Sequence, residues 1–372
     1  METTTAATDS IDWVVEPGRP ARTTVPELDL ADACAWLREH RQALRAGLDE
    51  HGAVFLRGLP VRSTEDFGLV RDALIVERAG YREKATPRSH FGNDVYSSTD
   101  LPPQQSIRPH NENSYALEFP GLLLFGCLIA PHQGGATPVT DVRKVLRDVP
   151  APLADRFRAQ GWGLVRNYGE HISLGWRTAF NTEDRAEVER YCRENLIAHE
   201  WLDNGNLRTV QRRPATIRHP RTGDEVWFNH MVFWNEWSLD EDTREVLVGD
   251  LGVENLPFRT AFGNGDPVAR EDVEMIDRAY REATLRETWQ PGDVMIVDNL
   301  LMAHARDSFR GDRKILVAMG DPVELADCAP STPPLAGFGP KAPAAPDATA
   351  SASTPSEPKA KGSWISRLKR RP

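Results

Sequence analysis

The sequence predicts a mainly β protein of the α+β class, with a jelly-roll core and a few flanking helices. Between residues 95 and about 321, short apolar runs alternate with turn residues, a pattern typical of many short strands. Helical periodicity is confined to a few segments, and the sequence contains no internal repeat. With 372 residues, the chain is long enough for one large domain with a sizeable core.

Each element is predicted from its local pattern. Helical spacing of apolar residues, or short apolar runs between turn residues, gives four helices and six strands. The helices are expected over 28–50, 64–76, 183–195 and 272–287, and the strands over 53–56, 122–129, 137–140, 225–228, 294–297 and 314–319. The candidate N-caps are Asp29 or Asp32 for the first helix, Ser63 for the second and Thr182 for the third.

Composition divides the chain into three parts. Residues 1–10 are polar and rich in Thr, and we expect them to be disordered. Residues 11–325 form the single predicted domain. Residues 326–372 are rich in Pro, Ala and Ser and end in a basic segment, so they are expected to form a disordered tail. This tail is either a solubilising extension or a docking peptide for a partner protein or an acidic carrier.

Charge and hydropathy exclude two classes of protein. A net charge of -10 and a pI of about 5.6 argue against a nucleic-acid-binding protein, which needs a basic surface. No apolar run approaches the roughly 18–20 residues of a membrane span, so no membrane partner is expected. The polar N-terminus does not resemble a signal peptide, and the four cysteines form no C-x-x-C pair. A cytoplasmic protein with free thiols is therefore expected.

The main functional signal is a histidine and a carboxylate two residues apart. His110 is followed by Glu112, and none of the other histidines has an acid at this spacing. In a strand, residues i and i+2 share a face, so both side chains can reach one metal if the segment is extended. Such a pair, with a distant second histidine, is typical of non-heme iron(II) oxygenases, in which the remaining metal sites accept cosubstrate and dioxygen.

The second histidine is expected from another strand. His304 is the best placed candidate, because it follows the apolar strand 294–297 and precedes a cluster of arginines. An arginine suits the far carboxylate of a dicarboxylate cosubstrate. Arg313 is favoured because it begins the strand 314–319. The alternatives left open are His199, His219 and His230 for the histidine, and Arg306 and Arg310 for the arginine.

Several ordered motifs give the chain a resemblance to a known family. They lie at 95–99 (VYSST), 110–115 (HNENSY), 134–138 (GGATP), 166–168 (RNY), 226–229 (VWFN), 292–294 (GDV), 304–306 (HAR) and 309–313 (FRGDR). Over residues of about 50–322, the chain resembles the taurine dioxygenase (TauD)/TfdA superfamily of Fe(II)- and 2-oxoglutarate-dependent dioxygenases. Within it, the chain is most similar to the branch typified by the syringomycin-pathway aspartyl hydroxylase.

The resemblance implies a double-stranded β-helix, a jelly-roll or cupin-like core, and a role for each matching residue. His110, Glu112 and His304 match the iron ligands, and Arg313 with Thr137 matches the pair that binds the distal carboxylate of 2-oxoglutarate. The implied reaction uses dioxygen to hydroxylate an unactivated C–H bond. The expected substrate is an amino acid attacked at its β-carbon, free or tethered to a carrier protein, in natural-product biosynthesis.

Other outcomes remain open for this scaffold. They are desaturation or cyclisation of a small molecule, and a catalytically silent binding homologue. The chain also departs from the family pattern. Val317 replaces a second arginine, His230 replaces a common glutamine, and Glu112 stands where many members have aspartate.

Overall fold

The computed structural model describes residues 11–79, 83, 92, 94–97, 101–169 and 174–340. The expected disordered segment 1–10 and the tail beyond residue 340 lie outside the described residues. The helices are α1 Leu30–Glu39, α2 Arg41–His51, α3 Thr64–Leu74, α4 Val142–Asp148, α5 Ala151–Gln160, α6 Trp176–Phe180, α7 Arg185–Glu194, α8 Glu241–Leu251 and α9 Arg270–Glu282. The first strands are β1 Ala21–Thr24, β2 Ala53–Arg57, β3 Tyr96–Ser97, β4 Ile107–His110, β5 Glu118–Ile129, β6 Gln133–Gly134, β7 Val139–Asp141, β8 Trp162–Tyr168, β9 Ala198–Trp201 and β10 Leu207–Arg213. They are followed by β11 Thr216–Arg218, β12 Glu225–Trp227, β13 Phe258–Phe262, β14 Thr284–Leu285, β15 Val294–Asp298, β16 Met302–Arg306, β17 Phe309–Arg310, β18 Lys314–Glu324 and β19 Leu335–Ala336.

Two sheets form the core. The larger has the order β1-β2-β15-β5-β18-β3, and the smaller has the order β14-β7-β16-β4. They face each other, since Phe125 of β5 lies against His304 of β16 with ring centroids 5.2 Å apart. Apart from the parallel pair β1 and β2, the strands of both sheets pair antiparallel. This arrangement is the predicted double-stranded β-helix.

The long strands of the larger sheet are buried on both faces. On β5, Phe125 lies in the core between the sheets, whereas Leu124 joins a second cluster with the helices on the outer face. Strand β18 alternates in the same way, with Val317 inside and Leu316 outside. Helix α3 covers the outer face and is capped by Ser63, as predicted. Continuous apolar runs rather than polar alternation follow from burial on two faces.

A third sheet extends the folded unit beyond the predicted domain end. Its order is β13-β8-β10-β19, with β9 also paired to β10. Strand β19 places Leu335 opposite Arg212, and the Gly339 N–H donates to the carbonyl of Gly263 at 2.7 Å. The prediction of a disordered tail from residue 326 was therefore wrong for residues 326–340. Backbone hydrogen bonds to a sheet edge hold this segment, and composition carries no signal of them.

Several helix boundaries also differ from the prediction. The helix expected over 28–50 is two helices that meet at His40, whose Nδ1 lies 2.9 Å from the carbonyl oxygen of Trp36. Asp29 caps the first of them through the Asp32 N–H. Asp184, not Thr182, caps α7. Helix α9 ends at Glu282, before the predicted 287, because β14 begins there and pairs with β7. Among the described residues, no helix is long and apolar enough to cross a membrane.

Candidate metal and cosubstrate site

Two histidines meet across neighbouring strands of the smaller sheet. His110 is the last residue of β4, and His304 lies directly opposite it in the middle of β16. Their ring centroids are 4.3 Å apart, and both side chains are buried. Antiparallel pairing brings together two residues that are far apart in the sequence. The sequence could therefore favour His304 only through the residues that flank it.

Glu112 lies beside the two histidines, but its backbone conformation differs from the predicted one. The strand ends at His110, and Glu112 lies in the turn that follows, with Asn113 at a positive φ of 55°. The expectation of an extended segment through Glu112 was therefore wrong. The carboxylate nevertheless faces the histidines, with Glu112 Oε2 3.6 Å from His304 Nε2. One ligand atom from each of the three residues lies within 4.8 Å of the others.

The donor atoms of this triad fit a divalent metal. His110 Nδ1 lies 2.9 Å from the carbonyl oxygen of Arg108. Because a carbonyl only accepts, Nδ1 carries the proton and Nε2 keeps its lone pair for a metal. Metal bonds to nitrogen and oxygen are about 2.0–2.2 Å long, so two donors of one metal are at most about 4.4 Å apart. The 3.6 Å between Glu112 Oε2 and His304 Nε2 satisfies this limit.

Asn299 holds the turn that carries Glu112. Its Oδ1 accepts from the Glu112 N–H at 2.7 Å, and its Nδ2 donates to the Glu112 carbonyl at 3.0 Å. Nδ2 also donates to the carbonyl of Pro120, and the Asn299 carbonyl accepts from Asn111 Nδ2. Asn299 is fully buried in the connection between β15 and β16. The side chain thus supplies the pairing that a neighbouring strand would otherwise provide.

The alternative histidines have other surroundings. His219 Nδ1 accepts from two backbone N–H groups, so its protonated Nε2 donates to Asp298, 3.1 Å away. Asp298 in turn accepts from the N–H groups of Leu300 and Leu301 and so shapes the same connection. His199 lies on β9 opposite Thr209. Among the residues that the structure describes, neither histidine belongs to a group that could hold a metal.

Arg313 and Thr137 form a polar pair beside the triad. Arg313 donates from one terminal nitrogen to Thr137 Oγ1 at 3.0 Å, and from Nε to the carbonyl of Gly135 at 2.9 Å. Thr137 lies two residues before Val139, which pairs with His304 across β7 and β16. Burial, followed by the nearby charge of Arg306, lowers the pKa of Arg313 to about 10. The Arg313 guanidinium stays cationic at neutral pH, and its buried position favours the binding of an anion beside it.

The two alternative arginines, Arg306 and Arg310, lie in different surroundings from Arg313. The Arg306 guanidinium donates to the backbone carbonyls of Leu101, Pro102 and Gln105. It therefore fixes the segment before β4. Arg310 is exposed on β17.

Comparisons with known proteins identify the family. Residues 15–319 match the model of the family described as "Taurine catabolism dioxygenase TauD, TfdA family". The chain belongs to the TauD/TfdA family. The dapdiamide synthesis protein DdaC of Enterobacter agglomerans is 37% identical over 276 residues, which cover 74% of this chain and 84% of that protein. A clavaminate synthase-like protein of Arabidopsis thaliana is 30% identical over 307 residues, covering 79% and 89% of the two chains.

A solved structure was also found. The taurine dioxygenase of Burkholderia xenovorans has a TM-score of 0.47 at 17% identity and covers 89% of this chain and 97% of its own. As a member of the TauD/TfdA family, the chain is a dioxygenase that depends on iron(II) and 2-oxoglutarate.

Two departures from the TauD/TfdA pattern lie inside the core. Val317 is buried among apolar side chains between the sheets, where the family's second arginine would be expected. His230 is buried with its ring centroid 5.5 Å from that of His110, and its Nδ1 lies 2.6 Å from Ser114 Oγ. Burial, and then the nearby His110, lowers the pKa of His230 well below its usual range, so it is neutral at pH 7.

A buried polar cluster lies beyond His230. Arg166 of β8 donates to Glu83 Oε1 at 2.9 Å, and both side chains are almost completely buried. The Glu83 carboxylate also accepts from the hydroxyls of Tyr191 and Tyr168, at 3.1 and 3.4 Å. Tyr115 connects the two regions, because its hydroxyl donates to the Glu83 carbonyl and its ring meets that of His230.

Two residues of the site were missed by the sequence analysis. Asn299 is adjacent to Asp298 after an apolar strand, and polar residues at a strand end were an available signal. Trp289 donates its indole N–H to Thr137 Oγ1 at 3.2 Å. Any one tryptophan more often indicates core packing than a site contact, so no sequence pattern pointed to this hydrogen bond.

Proposed function

We propose that this dioxygenase hydroxylates the β-carbon of an amino acid, supplied free or tethered to a carrier protein, in natural-product biosynthesis. The observation that carries the hydroxylation is the buried triad of His110, Glu112 and His304, with one ligand atom of each within 4.8 Å of the others. The TauD/TfdA family supplies the reaction class, and the residues define which outcome the site favours.

In this proposal, the three residues of the triad hold iron(II) through two imidazole nitrogens and one carboxylate oxygen. When bound, iron supplies the oxidising chemistry with dioxygen and 2-oxoglutarate. The Arg108 carbonyl keeps His110 in the tautomer that can bind a metal. Arg313 and Thr137 bind the distal carboxylate of 2-oxoglutarate, because the arginine supplies charge and both supply directed donors.

Glu112 supports hydroxylation over halogen transfer. A halogenase needs an open metal position for chloride at the place of this carboxylate. Here the carboxylate is present and faces His304, and Asn299 holds its backbone on two sides. With that position filled by a protein ligand, hydroxyl transfer is the expected outcome.

One observation supports an amino-acid substrate in a biosynthetic pathway. A relative at 37% identity is a dapdiamide synthesis protein by name.

The test is an incubation of the iron(II)-loaded protein with 2-oxoglutarate, oxygen and a panel of amino acids. Each amino acid is supplied free and as a carrier-protein thioester, and products are measured by mass spectrometry. The proposal predicts the mass gain of one oxygen at a β-carbon. It also predicts that Glu112→Ala loses this product, whereas Glu118→Ala, at an exposed glutamate on β5, retains it.

Other outcomes would overturn parts of the proposal. A loss of two hydrogens would indicate desaturation or cyclisation. Binding of iron(II) and 2-oxoglutarate without a product from any amino acid would place the substrate in another class. A protein that binds neither iron(II) nor 2-oxoglutarate would be a catalytically silent homologue.

A further inference from the structure

We infer that Trp289 is a positioning residue for 2-oxoglutarate, because its indole N–H fixes the direction in which the Thr137 hydroxyl donates. The inference rests on the proposed binding of the distal carboxylate by Arg313 and Thr137. It adds a third residue to this site and assigns it a role in selecting a dicarboxylate over a monocarboxylic 2-oxo acid.

The argument begins with the hydrogen bonds of Thr137. A hydroxyl has two acceptor lone pairs and one donor. Trp289 Nε1 donates to Thr137 Oγ1 at 3.2 Å, and Arg313 donates to the same oxygen at 3.0 Å. Both acceptor positions are therefore used by protein donors. The remaining capacity of this hydroxyl is its own O–H.

The O–H of Thr137 is thereby set to donate to a ligand. Among the residues that the structure describes, no hydrogen bond donated by this hydroxyl is observed. A carboxylate only accepts hydrogen bonds, so it matches this donor and the neighbouring Arg313 cation together. Without the indole N–H, the hydroxyl could rotate and place a lone pair toward the ligand, which would repel a carboxylate.

Packing holds Trp289 in this position. The side chain is 3% exposed, and its ring centroid lies 4.8 Å from that of Phe55 on β2. The turn after it is fixed because Asp293 accepts from the Gln290 N–H at 2.7 Å. Asp293 is also paired with Arg57 of β2. The indole N–H is thus directed by the larger sheet toward a residue beside the smaller sheet.

The test compares Trp289→Phe with Trp36→Phe as a matched control. Phenylalanine keeps an aromatic ring against Phe55, removes the N–H and is smaller than the indole, and Trp36→Phe carries the same reduction in ring size. Trp36 is a partly buried residue of α1 that packs in the cluster on the outer face of the larger sheet. Binding is measured by titration calorimetry on Mn(II)-loaded protein, which does not turn over, with 2-oxoglutarate and with 2-oxopentanoate, which has the same chain length but no distal carboxylate.

We expect Trp289→Phe to raise the Kd for 2-oxoglutarate about five- to tenfold, the effect of one hydrogen bond near a charged group. The Kd for 2-oxopentanoate should stay within about twofold, and Trp36→Phe should change neither value. Thr137→Val should also raise the Kd for 2-oxoglutarate. Adding Trp289→Phe to this variant should raise the Kd no further, because the two residues act through one hydroxyl.

The outcomes separate this inference from the function on which it rests. If the wild-type protein binds no 2-oxoglutarate, the proposed cosubstrate site fails. If the wild type binds it and Trp289→Phe binds equally well, the inference is overturned. An equal rise in the Kd for both acids in Trp289→Phe would assign this residue a purely structural role and would also overturn the inference. Additive losses of affinity for 2-oxoglutarate in the double variant would do the same.

Discussion

Asn299 pairs with both backbone polar groups of Glu112, accepting from its N–H at 2.7 Å and donating to its carbonyl at 3.0 Å. A side-chain amide can form this two-point contact because its oxygen and nitrogen are spaced like those of a peptide group. Glu112 has left the strand at this point, so no neighbouring strand satisfies its backbone. Asn299 therefore determines where the carboxylate of the proposed metal ligand lies.

Asn299→Ala should lower both stability and metal affinity. The buried N–H and carbonyl of Glu112 lose their partner, which should cost about 1–3 kcal/mol in the free energy of unfolding. Metal affinity should fall about 10- to 100-fold, the usual effect of removing a residue that orients a ligand. Asn167→Ala is the matched control, since Asn167 also donates to two backbone carbonyls but lies on β8. Urea denaturation and Co(II) titration would measure both effects; metal affinity equal in the two variants would contradict the role of Asn299.

Glu112→Ala should weaken metal binding by more than about 100-fold, because it removes a direct ligand rather than an orienting residue. The buried site would then have two imidazoles alone. Co(II) titration measures this change, with Glu118→Ala as the exposed control on β5. Unaltered affinity in Glu112→Ala would remove this residue from the metal site.

Arg313→Ala should raise the Kd for 2-oxoglutarate about 30-fold or more, equivalent to about 2 kcal/mol for a lost charged partner. Arg310→Ala should leave it unchanged, because Arg310 is exposed on β17. The reverse result would assign the distal carboxylate to Arg310. Calorimetry with Mn(II)-loaded protein distinguishes the two arginines without turnover.

Asp293 should make stability depend on pH. Burial raises the pKa of its carboxyl group from 3.8 to about 6 despite the N–H of Gln290 and the charge of Arg57. The folded state therefore holds this proton more tightly than the unfolded state. The stabilisation is fully present below pH of about 4 and is lost as the pH rises through about 6, by about 2–3 kcal/mol in total.

Asp293→Asn tests this dependence, because the amide does not titrate in this range. Urea denaturation of both proteins between pH of about 4 and 7 gives the difference in unfolding free energy. The difference should favour the wild type more strongly at the acidic end. A difference that is constant with pH would show that Asp293 has an ordinary pKa in the folded protein.

The sequence predicted the parts of the site that depend on residue type and order. His110, Glu112, His304, Arg313 and Thr137 were selected by spacing and by resemblance. The structure places His110, Glu112, His304 and Thr137 on or beside adjacent strands of the smaller sheet. Arg313 precedes β18 of the larger sheet and donates to Thr137 across the space between the sheets. The path of the chain was less predictable. The i and i+2 spacing suggested a strand through Glu112, but a turn held by a distant asparagine achieves the same approach.

The contacts that were missed are made between residues far apart in the sequence. Trp289 meets Thr137 across 152 positions, and Asn299 meets Glu112 across 187. Strand β19 was also missed, because a sheet edge can recruit a Pro- and Ser-rich segment through backbone bonds alone. Local patterns carry no information on such pairings, whereas they predicted the apolar strands β5, β15 and β18 well.

The most direct test of the central claim is an anaerobic titration of the iron(II)-loaded protein with 2-oxoglutarate, followed by visible absorption. The account predicts a saturable charge-transfer band that requires both iron and 2-oxoglutarate. The band should be lost in His304→Ala and retained in His199→Ala, a histidine on β9 outside the triad. A folded wild-type protein that develops no band, or a band that persists in His304→Ala, would contradict the assignment of this triad as the iron site.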